Sequence, residues 1–220
     1  MPLQKAPLFS LRATGLLGGH RRGALAPTRL VRTVHPVADA AIFGAPLDLQ
    51  DDNYGFGTDA SEVITYLGPD KSSWTRTITR YDLRSFIGNT FSAATLSLHK
   101  FNIMPTPGTI RILRCTRPED WLESQVTWLS FATGSPWSSP GGDYDSLGPP
   151  GPLDAPNPSS SGYHHITGLL PFVEDALANR SGWLSFIIKL DAENPPDATG
   201  TSWLTRETPS SLGPYLTLFP

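Results

Sequence analysis

The chain has 220 residues, 39% of them hydrophobic, which is enough for one large domain or two small ones with a substantial core. Only 17% are charged, and 22 prolines with 20 glycines interrupt any long helix, so the composition excludes a helical bundle and favours a turn-rich β protein. The net charge of -3 hides an asymmetry: Lys5, Arg12, Arg21, Arg22, Arg29 and Arg32 put +6 on the first 36 residues, which hold no acid, and the remainder carries 11 basic against 20 acidic residues, a net -9.

Residues 1–36 include LLGGHRRGALAPTRLVRTVHP, where glycine and proline break any helical period and apolar residues stand singly. They read as an extended basic N-terminal arm on a domain spanning 37–220. Arg12, Arg21, Arg22, Arg29 and Arg32 are its candidate contacts, because a guanidinium grips carboxylates or phosphates with two parallel hydrogen bonds. The expected partner is another protein subunit of an assembly, since an acidic body argues against nucleic-acid binding by the whole chain. No secretory signal is legible, so a virion protein made without export is the expectation; an Arg-rich, acid-free N-terminus is also the pattern of a mitochondrial transit peptide, and a mitochondrial or extracellular location is the alternative. No apolar run approaches the ~20 residues of a membrane-spanning helix, and no membrane contact is expected.

From Ala38 onward, short runs separated by turn clusters follow at the spacing of a sandwich. Strands are predicted at 38–43, 62–67, 75–82, 94–99, 109–115, 125–129, 183–190, 202–206 and 215–219, about nine in all. In the seventh, Leu184, Phe186, Ile188 and Leu190 alternate with Trp183, Ser185, Ile187 and Lys189, which predicts a central strand with one strongly apolar face. Leu169, Phe172, Val173 and Ala176 recur at helical spacing between Thr167 and Asn179, so one short helix is predicted to cap one end. The fold class is therefore all-β, an antiparallel β-sandwich of jelly-roll type. Its longest loop, 135–162, either packs along the surface through Trp137, Tyr144 and Leu147 or serves as a contact loop.

Little in the chain points to catalysis. Cys115 is the only cysteine, which rules out an intrachain disulfide and a multi-cysteine metal site, and it reads as a buried apolar residue. Asp120 and Glu123 are close enough in sequence for an acid/base pair, yet they read better as turn residues accepting backbone hydrogen bonds. His164 and His165 are adjacent on a predicted strand and so face opposite sides. Asp48, Asp51, Asp52 and Asn53 lack the glycine and terminal glutamate of an EF-hand loop and read as a solvated turn. No nucleophile-elbow, zinc-protease, P-loop or dinucleotide fingerprint occurs, so no enzyme activity, cofactor or metal is expected.

Aromatic residues offer a binding chemistry instead. Trp121, Trp128 and Trp183 are assigned to the core, whereas Trp74, Trp137, Tyr144, Tyr163 and Trp203 fall at loop or strand-edge positions. Trp137, Tyr144 and Tyr163 are the candidate glycan or interface contacts, because exposed rings stack on sugars and anchor interfaces.

The order of motifs resembles DNRLRE-type domains, β-sandwich modules related to carbohydrate-binding modules. The resemblance runs over about 39 to 219. It rests on VADAAIFGAPLDLQDDNYGFG with Asp39 and Asn53-Tyr54-Gly55, on TRYDLRSFIGNTFSAATLSLHKF, on DWLESQVTW, on SPWSSPGGDYD, and on HHITGLLPFVEDAL, WLSFIIKL and SWLTRETPSSLGPYLTLF. It implies a sandwich and the possibility of polysaccharide binding, while the basic arm has no counterpart in the usual family member. Together these readings give the expectation of a non-enzymatic structural protein of a large assembly, a bacteriophage virion head, tail or decoration component, with a carbohydrate-binding module as the alternative.

Overall fold

Most of the predicted alternation becomes real strand in the computed structural model, which describes residues 30–44, 63–66, 74–102, 109–146, 150–191, 200–209 and 211–220. In chain order the strands are β1 (Arg32–Val34), β2 (Ala38–Gly44), β3 (Val63–Tyr66), β4 (Trp74–Asp82), β5 (Ala93–Asn102), β6 (Thr109–Cys115), β7 (Ser130–Ala132), β8 (Ser135–Pro136), β9 (Tyr144–Asp145), β10 (Leu153–Pro156) and β11 (Gly162–Ile166). After helix α1 (Leu170–Asn179) come β12 (Trp183–Leu190), β13 (Gly200–Trp203) and β14 (Tyr215–Phe219). The ladders are antiparallel and make two six-stranded sheets plus the small β7–β8 hairpin, so the fold is an all-β sandwich. Among the described residues no helix is long and apolar enough to cross a membrane.

The first sheet is built around β5. Strand β14 pairs with its residues 93–97, β13 continues along the same edge at Lys100 and Asn102, and β11 takes the other edge from Leu96 to Lys100. Strand β1 then adds to the outer side of β14, and β3 to that of β13. Arg32–Val34, read from sequence as part of the arm, are therefore a strand of the sandwich. In the second sheet the order is β10, β6, β12, β4, β2, with β9 extending the edge of β6 beside β10.

Leu96, Leu98, Leu216 and Leu218 of the first sheet pack against Ile110, Ile112, Leu184, Phe186 and Ile188 of the second to form the main core. Phe172, Val173 and Ala176 of α1 join that core and close one end of it. Pro171 suits the first turn of this helix, where its missing N–H is no loss. Thr167 does not cap it; the N-cap position is Leu169, with no side-chain hydrogen bond.

The far face of the second sheet is also covered. Ala38, Ala40, Ile42, Ile78, Leu113, Cys115 and Ile187 meet Trp121, Val126, Trp128 and Trp137 from the connection between β6 and β9 in a second core. This explains why β12 is buried on both faces instead of showing one apolar face. The predicted strand at 125–129 is absent: Gln125 and Val126 donate to the Leu122 carbonyl, and Thr127 Oγ1 accepts from Leu129 and Ser130, so two inward residues come from consecutive turns.

Pro140-Gly141-Gly142 brings this connection down onto the sheet. Gly142 has φ +100°, and a Cβ there would lie 2.5 Å from Ile187 Cδ1. Gly142→Ala is accordingly expected to lower stability by about 1–3 kcal/mol, through backbone strain and overpacking together, read as a shifted urea midpoint.

Candidate functional site

One carboxylate lies where the alternation of β2 sends it inward. Asp39 is in register with Thr79 of β4 and is 1% exposed, on the face opposite Ala38, Ala40 and Ile42. Strand β2 is the last of its sheet, and the Asp39 N–H donates to Glu123 Oε1 at 2.9 Å. The backbone N–H of Arg206, just past β13, donates to Asp39 Oδ2 at 2.8 Å. Arg206 Nη2 lies 2.7 Å from both Glu123 Oε2 and Glu207 Oε1.

Asp39, Glu123 and Glu207 each place a carboxylate oxygen within 4.8 Å of the others. Two of the three carboxylates thus share the Arg206 guanidinium, and the third accepts from its backbone N–H. Asp39 Oδ1 and Glu207 Oε2 are buried without any hydrogen-bond partner, an arrangement that costs free energy. Burial pushes the Asp39 carboxyl up to about 7, the Arg206 N–H opposes this, and the Glu207 and Glu123 charges reinforce it.

The sequence-predicted residues fare differently. Asp120 and Glu123 are not a pair: Asp120 faces Arg117 at 3.6 Å, and Glu123 serves the Asp39 cluster, accepting the backbone hydrogen bond expected of it. Trp137 is only 5% exposed, donates from Nε1 to the Thr127 carbonyl and packs on Phe131, so it offers no ring to a glycan. A Pro-bounded loop looks exposed in sequence, but here it folds back onto the second sheet. Tyr144 is half-buried under the Arg76 guanidinium, 5.2 Å away. Tyr163 is half-buried as well, its hydroxyl 3.0 Å from the carbonyls of Ser211 and Gly213.

Trp203 is buried in the main core, whereas Trp183, assigned to the core from sequence, is half-buried and stacked by Arg80 and Arg84. His165 is exposed and bonded to Ser97, while His164 is half-buried against Trp203, on the opposite face as expected. Cys115 is buried, and that burial pushes its thiol up to about 12, which leaves it inert as a nucleophile. Arg32 is exposed on β1. Arg12, Arg21, Arg22 and Arg29, the cluster of Asp48, Asp51, Asp52 and Asn53, and Leu147 lie outside the described residues.

Sequence reasoning passed over Arg206 and Glu207 as site residues. The available signal was Asp39 itself, a carboxylate inside a run otherwise made of alanine, isoleucine and phenylalanine.

No protein-family model matches the chain, and no curated protein matches it.

Proposed function

We propose that the chain is a non-enzymatic structural protein of a large assembly, with a bacteriophage virion as the particle class, and that its basic arm ties one subunit to the next. The observation that carries this reading is β1. The end of the arm, Arg32–Val34, is a strand on the outer side of β14, at the edge of its sheet among the described residues. Leu30 and Val31 beside it are 58% and 54% exposed, and an edge strand with apolar neighbours is a template for pairing with another chain. A charge of +5 on residues 1–29 against -8 on the rest supports attraction between the arm of one copy and the body of another. The resemblance to DNRLRE-type domains belongs to the same proposal, as a module of extracellular architecture used for assembly. With Trp137 in the core, the carbohydrate-binding alternative loses its best ring.

Sedimentation of the full chain and of a form lacking residues 1–29 tests this. The full chain is expected to associate in a salt-sensitive way and the truncated form to remain a folded monomer. Identical monomers from both would overturn the proposal.

A further inference from the structure

We propose that Asp39, Glu123 and Glu207 bind one calcium ion, which clasps the first long strand, the tryptophan-rich connection and the segment after β13. The site is independent of the arm and goes beyond the structural reading above.

Two observations carry it. The first is convergence: three carboxylates, 84 residues apart at each step, set one oxygen apiece within 4.8 Å of each other. Calcium holds oxygens at ~2.3–2.6 Å, so ligands on opposite sides of the ion stand ~5 Å apart, and the cluster has that span. The second is independent of the clustering. Asp39 is 1% exposed and its Oδ1 has no partner, and Glu207 Oε2 is buried with none either. Buried carboxylate oxygens without donors are what a cation satisfies.

Charge and ligand type select the ion. Three carboxylates against the Arg206 guanidinium leave two negative charges, which a divalent cation neutralises. An all-oxygen set with no histidine or thiolate favours a hard cation over zinc or copper. Carboxylates drawn from a strand and two turns form an irregular set that calcium accepts more readily than magnesium, which demands an octahedron. Arg206 stays in place as the bridge between Glu123 and Glu207, and water completes the coordination.

The test uses the full chain, stripped with EDTA and returned to chelator-free buffer. Saturating calcium is expected to raise Tm by ~5–10 °C, with magnesium well behind, and calorimetric titration is expected to give one site per chain. Asp39→Asn and Glu207→Gln should each abolish the rise, while Glu174→Gln on the exposed face of α1 should keep it. Glu207→Gln carries the comparison should Asp39→Asn fail to fold. The absence of a rise in the unaltered chain, an equal rise in the Glu207→Gln variant, or a response to magnesium alone would overturn the proposal.

Discussion

Trp121→Ala is expected to remove about 4 kcal/mol of stability, a large part of the ~5–15 kcal/mol that a folded domain holds in reserve. The indole is fully buried, the most completely enclosed of the three tryptophans in the second core. Its Nε1 donates to Ser185 Oγ at 3.0 Å, and that hydroxyl donates in turn to the Thr79 carbonyl. Arg80 lies over the ring, 4.8 Å from its centre, and donates to the Trp121 carbonyl. Truncation would open a cavity between the connection and the sheet, leave Ser185 short of one partner, and strip the apolar cover from Arg80. Trp121→Phe keeps most of the volume and loses the hydrogen bond, so about 1–2 kcal/mol is expected for it. Urea unfolding followed by circular dichroism reads both. A loss below ~1 kcal/mol for the alanine variant would mean that the second core is dispensable.

Arg114→Met is expected to cost about 3 kcal/mol, because it strands carboxylates that the fold has withdrawn from water. Arg114 and Asp175 expose 8% and 13% of their side chains and lie 2.7 Å apart, joining β6 to α1. Asp145 on β9 also bonds Arg114, and Arg180 bonds Asp175 at 2.6 Å and the Thr116 carbonyl. Burial raises the Asp175 carboxyl, but hydrogen bonds from Arg180, Asn179 and Arg114 outweigh it and hold the group below its ordinary value. A depressed carboxyl contributes stability that is present above its unfolded value near 4 and is lost as pH falls through the folded value. The unaltered chain should therefore weaken below pH ~4, and Arg114→Met should show a shallower acid limb. Arg114→Met combined with Asp175→Leu should recover much of the loss. An unchanged acid limb in the single variant would show that Arg180 alone sets the Asp175 carboxyl.

Strands were legible where alternation is long and strongly apolar. The predicted 109–115, 183–190 and 215–219 coincide with β6, β12 and β14, because β12 and β14 place leucine, isoleucine or phenylalanine at every second position and β6 does so at Ile110 and Ile112. The short edge strands β8, β9 and β10 have two to four residues and include proline and aspartate, too little for a period to register. Trp121 and Trp128 were legible as core residues, but the role of the connection from Trp121 to Tyr144 as a layer over the second sheet was not. That role depends on Gly141 and Gly142 permitting an approach that no spacing in the sequence records. The carboxylate cluster was least legible of all. Asp39, Glu123 and Glu207 are brought together by pairing across most of the chain, and only Asp39, set in an apolar run, stands out in its own neighbourhood.

The ladders of the first sheet also set the order in which the chain can fold during synthesis. Among the described residues each of them contains β11, β13 or β14, so none of these pairings can form before residue 162 has been made. Strand β5, with Leu96 and Leu98 on its apolar face, must wait while more than a quarter of the chain is still to come, although β2 and β4 can already pair. A nascent chain therefore emerges from the ribosome with an apolar strand exposed and its partners unmade. Closure of the sandwich is the last event, slow for its size because the pairing that joins β1 to β14 spans nearly the whole sequence.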